Sequence, residues 1–168
     1  SGINILSGTG SDGSIYFGDS GDDNIGMVRY EHSGNNLFLR TNTADALKID
    51  GSGYITMPLQ PAFQVQMASA QTIEDTTQET LIWGTERFDV GTNFASNTFT
   101  APVTGKYQMN VHLYIRNIDT DMSAVQGTLA TSNKSYYSQL AAEAIDATAP
   151  YWTKTISMIV DMDASDTA

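Results

Sequence analysis

The chain has 168 residues, 40% of them hydrophobic and 16% charged, with no cysteine and a formal net charge of -11. That apolar share is too large for a disordered tail, and the charges are too sparse for a coiled coil. Without cysteine there is no disulfide, thiol chemistry or cysteine-held metal. The eight Lys and Arg residues are scattered from Arg29 to Lys154, so no concentrated basic patch offers itself to nucleic acid. No apolar run reaches the 18 or so residues of a membrane-spanning helix, so no membrane insertion is expected. The opening Ser1-Gly2 without Met suggests a piece of a longer chain.

From Ser1 to Met57, short apolar-alternating runs at Ser14 to Phe17, Ile25 to Tyr30, Leu37 to Arg40, Ala46 to Ile49 and Tyr54 to Met57 predict strands about ten residues apart. The clusters between them, Gly18 to Asn24, His32 to Asn36 and Asp50 to Gly53, are rich in Gly, Asn and Asp and predict turns. Each run carries few large apolar side chains, so one copy buries a sheet face poorly and sister chains are the expected cover.

Met57-Pro58-Leu59-Gln60-Pro61 predicts a stiff boundary, because two prolines end pairing. The expected organisation is a short-stranded β region over 1–57, a junction at 58–61 and a head over 62–168. In the head, Ala62 to Met67 alternates with Phe63, Val65 and Met67 on one face, and Ser69 to Glu79 reads as a loop. Lys106 to Asn117 puts Tyr107, Met109, Val111, Leu113 and Ile115 on a core face, opposite Gln108, Asn110, His112, Tyr114 and Arg116. Trp152 to Met162 alternates likewise, with Trp152, Ile156, Met158, Val160 and Met162 inward. The Ala-rich piece Gln139 to Ala147 has helical propensity, but the β pattern around it favours a loop or strand edge.

Chemistry-bearing constellations are scarce. His32 and His112 lie apart, Gly8-Thr9-Gly10 lacks a following Gly-Lys-Ser, and no nucleophile elbow occurs. No catalytic residue and no organic cofactor are expected. Asp119, Asp121, Asp161 and Asp163 are the candidate ligands for a hard cation such as calcium, with solvated turns as the other reading. Glu31, Glu74, Glu79, Glu86 and Glu143 show no spacing that pairs two of them for glycan cleavage. The aromatic pairs Tyr136-Tyr137 and Tyr151-Trp152 sit beside amides and suit contact with sugar or protein. The competing reading puts one member of each pair in the core, because strand side chains alternate.

Phe88-Asp89-Val90-Gly91-Thr92-Asn93-Phe94, followed by Phe99-Thr100-Ala101-Pro102-Val103-Thr104-Gly105-Lys106-Tyr107, resembles the jelly-roll head of the complement and tumour-necrosis-factor superfamily. In this motif Phe99 and Tyr107 would plug the core, Pro102 would preorganise the corner, and Gly105 would take a backbone conformation costly for other residues. The stretch from Ile15 to Ile55 resembles the repetitive β region that precedes the tips of bacteriophage tail fibres. Together these resemblances imply an all-β homotrimer: a short-stranded stalk followed by an antiparallel jelly-roll sandwich, incomplete at its C-terminal end. They imply an extracellular virion tail, with other tail proteins and a host surface polysaccharide or protein as partners, and adhesion rather than enzymatic activity. The alternatives are a tailspike-like glycan depolymerase and a secreted complement-type lectin or matrix protein.

Overall fold

The structure is a computed structural model that describes residues 1–74, 78–119, 121–141 and 151–168. Thirteen β-strands and no helix occur among them, and every strand pairing whose direction is resolved is antiparallel. The chain divides into two compact units, Ser1–Ala62 and Phe63–Ala168.

The first unit is one sheet of five strands in sequence order: β1 (Asp12–Phe17), β2 (Gly26–Glu31), β3 (Asn36–Thr41), β4 (Ala44–Ile49) and β5 (Ile55–Thr56). Its turns follow from their residue types. Asp19 accepts the N–H groups of Gly21 and Asp22 at 2.7 and 3.0 Å, which holds its carboxyl below the ordinary range. Asp50 caps Ser52 and Tyr54 in the same way. Asn42 and Thr43 both have positive φ, 48° and 63°, and form the two-residue turn whose twist suits a hairpin.

Cross-strand register sorts the side chains into two unlike faces. One carries Ile15, Val28, Leu39 and Leu47 in one row, and Tyr30, Leu37, Ile49 and Ile55 in the next. The other carries Ser14, Arg29, Phe38 and Lys48, flanked by Met27, Arg40 and Asp45. On this charged face Arg29 reaches Asp12 at 3.2 Å and Asp45 at 3.7 Å, and Arg40 reaches Asp45 at 3.0 Å. The Arg29 guanidinium also lies 4.2 Å from the Phe38 ring centroid, and Phe38 and Met27 are buried beneath this cover.

Strand alternation alone would put Asp45 and Lys48, three residues apart, on opposite faces. A bulge between Leu39 and Arg40 pairs Leu39 with Leu47 but Arg40 with Asp45, so Ala46 is the extra residue. The bulge returns Asp45 to the charged face.

The second unit contains β6 (Ala62–Gln66), apart from its first residue, paired with β7 (Thr85–Val90), the hairpin β8 (Phe94–Ala95) and β9 (Thr98–Phe99), the twelve-residue strands β10 (Gly105–Arg116) and β13 (Tyr151–Met162), and the hairpin β11 (Ala124–Ala130) and β12 (Ser135–Ala141). β10 alternates along its whole length as its sequence requires, with Tyr107, Met109, Val111, Leu113 and Ile115 turned inward. Met109 meets Met158, and Val111 meets Ile156, across the β10–β13 ladder.

The core gathers Phe99, Ala101, Met109, Val160 and Met162. Phe63 stacks between Phe94 and Phe99, each at 5.0 Å between ring centroids, and Phe99 meets Tyr107 edge-on at 5.3 Å. Gly127 of β11 shows how closely that hairpin lies on the β10–β13 face: a Cβ there would stand 2.9 Å from Leu113 Cδ1.

One expectation is corrected. Gly105 does not occupy the left-handed region; it opens β10 opposite Met162 with ordinary room for a Cβ. Positive φ in this motif falls on Gly91, at 91°, and on Thr92, at 55°, where β7 turns toward β8. Phe88 is exposed on β7 and takes no part in the aromatic column. β12 carries the first residues of the Ala-rich piece as strand; its remainder, 142–147 with Glu143, lies outside the described residues.

Candidate recognition surface

β10 and β13 run side by side for twelve paired residues, and their outward side chains form one continuous strip. From one end it carries Lys106 with Asp161, Gln108 with Ile159, Asn110 with Ser157, His112 with Thr155, and Tyr114 with Thr153. The Lys106 and Asp161 charges meet at 3.2 Å. Ser157 Oγ donates to Asn110 Oδ1 at 2.8 Å, and Gln108 Nε2 donates to Asn110 Oδ1 and to Ser157 Oγ, each at 3.1 Å. His112 Nδ1 lies 3.0 Å from Thr155 Oγ1. These bonds fix amides and hydroxyls that would otherwise rotate freely, so a partner meeting them orders fewer side chains on binding.

The far end of the strip is aromatic. Tyr114 and Tyr151 are both exposed, with ring centroids 6.3 Å apart and ring planes tilted by 50°. They are diagonal neighbours, since Arg116 pairs with Tyr151 and Tyr114 with Thr153.

The four aromatic residues singled out from the sequence divide by strand parity. Tyr136 packs against the core beneath Lys134, whose Nζ is 5.3 Å from the ring centroid, while Tyr137 is exposed. Tyr151 is exposed, and Trp152 is half-buried opposite Ile115. Sequence reasoning set Tyr114 among the outward residues without naming it for binding. Its pairing with Tyr151 depends on a register that joins residues 37 apart.

The carboxylates singled out for a cation do not come together. Asp119 follows the Arg116 end of β10 and accepts the Asp121 N–H at 2.9 Å. Asp161 and Asp163 sit at the Gly105 end, about 35 Å away at roughly 3.4 Å per residue. Among the described residues no three His, Asp or Glu side chains gather where they could share a metal ion. His32 stands edge-on to Tyr30 at 4.9 Å.

Comparison with protein families, curated proteins and solved structures finds no match. The chemistry of the surface therefore rests on its own residues. At the aromatic end the strip carries two flat faces and Arg116, with Thr153 and Thr155 hydroxyls alongside. Such a surface offers stacking area and hydrogen-bond donors to an extended, hydroxyl-rich partner. Asp166 lies near the other end, beyond β13. It accepts the Asp163 N–H at 2.8 Å and the Asn133 amide at 2.5 Å. These bonds, the backbone one first, and a Ser132 hydroxyl hold its carboxyl below its ordinary value.

Proposed function

We propose that this chain is a non-enzymatic, homotrimeric adhesion module of a bacteriophage tail fibre. Its first unit would belong to the fibre shaft, and its second would be a jelly-roll head that touches a host surface polysaccharide or protein. The observation that carries this reading is the hydrogen-bonded polar strip on β10 and β13 ending in the exposed Tyr114 and Tyr151. A long, rigid and open surface of this kind suits reading a repeating partner by contact. The jelly-roll assignment draws support from the packing of the β11–β12 hairpin on the inward face of β10 and β13 at Gly127. Oligomerisation draws support from the balance of apolar residues: nine hydrophobic residues are buried among the described ones, against twenty large ones exposed. Three copies would present the strip three times, and multivalent engagement turns weak single contacts into firm attachment.

The test is binding of the fluorescently labelled full chain to bacterial cells and to a panel of purified surface polysaccharides. Replacing Tyr114 and Tyr151 together by Ala is expected to lower binding at least tenfold while the β-sheet circular dichroism stays unchanged, as stacking contributes roughly 0.5–1.5 kcal/mol per aromatic pair and is multiplied across copies. The reading fails if the wild-type chain binds none of these surfaces. Release of reducing ends from a bound polysaccharide would replace it with a depolymerase.

A further inference from the structure

One face of the first unit's sheet is largely open, with Ile5 of the N-terminal segment lying against its Gly13 edge, and its two central rows are apolar. Ile15, Val28, Leu39 and Leu47 form one row across four strands, and Tyr30, Leu37, Ile49 and Ile55 form the next, with Phe17 beyond them on β1. No Asp, Glu, Lys or Arg falls on either row, although the chain as a whole carries a net charge of -11. The opposite face is sealed by its own Arg and Asp side chains over Phe38. On the apolar face, Ile15 is 44% exposed, Phe17 58%, Tyr30 38%, Leu39 41% and Ile55 63%. At roughly 200 Å² for each large side chain, these five alone leave about 500 Å² of surface in water. That is at the upper end of the patches found on monomers, and with the half-buried Val28, Leu37, Leu47 and Ile49 it approaches the roughly 800 Å² that each partner contributes to a stable interface.

We propose that this uncharged face of β1–β5 is the surface through which copies of the chain assemble. The proposal deepens the trimeric reading above by placing assembly in the first unit, apart from the recognition strip of the second. Charge selects the occupant. Two copies of an acidic chain repel across most of their surfaces, and this face lets them approach without bringing like charges together. Dimensions agree as well. Five strands at about 4.8 Å spacing make a sheet about 19 Å wide. Three such sheets arranged as a triangular prism would each stand about 5.5 Å from the axis, close to half of the roughly 10 Å that separates packed sheets, so their side chains would fill the centre.

Because the chain contains no cysteine, a single introduced thiol reports which face meets a sister copy. Ile15 and Tyr16 are neighbours on β1, are both exposed and point to opposite faces. In the full chain, Ile15→Cys is expected to form interchain disulfides under mild oxidation, and Tyr16→Cys is expected to stay largely monomeric on denaturing gels. Leu39→Lys is expected to reduce the solution mass of the native protein to that of one chain. Light scattering of the wild type and circular dichroism of each variant accompany these measurements. A monomeric wild type, equal crosslinking at the two positions, or a folded Leu39→Lys that keeps its assembled mass would each overturn the proposal. Failure of assembly leaves polysaccharide binding by the single chain measurable, and failure of that binding leaves the crosslinking result intact, so the two readings fail separately.

Discussion

The hydroxyl of Tyr107 donates to the carbonyl of Val103 at 2.6 Å, tying the first inward residue of β10 back onto the corner that precedes the strand. The ring also meets Phe99 edge-on, so one side chain joins the corner to the core. Tyr107→Phe keeps the ring contact and removes the hydroxyl. The expected cost is about 1 kcal/mol, near the usual net contribution of a single hydrogen bond, read as a lower denaturation midpoint in urea.

Gly127 stands where β11 crosses Leu113 and Ile156. An Ala there meets the mobile ends of two side chains and is tolerated at small cost. Gly127→Val adds bulk that those ends cannot absorb together, and a loss of about 1–3 kcal/mol is expected. Comparing the thermal melts of the Ala and Val variants checks this; equal midpoints would contradict the close packing of this hairpin.

Much of the fold was legible because alternation survives wherever one face is buried and the other is wet. The five strands of the first unit and the long β10 and β13 follow from that pattern alone. β11 escaped it, since Ala124-Val125-Gln126-Gly127 reads as a weak strand, and its Gly is explained only by Leu113 and Ile156, which lie far off in sequence. The β8–β9 turn escaped too, because Ser96 and Asn97 take positive φ without a glycine to announce it. At the surface, Tyr137 and Tyr151 were separable from Tyr136 and Trp152 by parity. The pairing of Tyr151 with Tyr114 was not, because register between distant strands has no local signal. The contrast between the faces of the first sheet was hidden for the same reason: Arg29 finds Asp12 and Asp45 on neighbouring strands.

Arg29 covers Phe38, donates to Asp12 and forms a looser ion pair with Asp45. Arg29→Met retains much of the cover and loses the charge. The expected loss is about 1–2 kcal/mol, combining a cation–π contact with two partly exposed ion pairs. Added salt should narrow the gap between wild type and variant, because it screens the pairs only where they exist. Midpoints at low and high ionic strength test both statements.

Asp166 links the turn after Met162 to the β11–β12 hairpin tip through Asn133. Its folded-state pKa lies below the ordinary value of 3.8, so its stabilising contribution is complete above that value. The contribution is lost as the pH falls through the depressed one. Asp166→Asn should therefore flatten the acid limb of a plot of melting temperature against pH while lowering the neutral plateau. An unchanged acid limb would show that these bonds contribute nothing to folding.

The extra residue in β4 has a consequence for what changes of length this sheet can accept. Ala46 is the residue that the ladder skips, so deleting it would leave Leu39 opposite Leu47 and Arg40 opposite Asp45 in an unbroken ladder, with Asp45 still among the arginines. Deleting the paired Lys48 would instead make Leu47 the neighbour of Ile49 and turn it to the charged side, so in this strand the place of a length change matters more than its size.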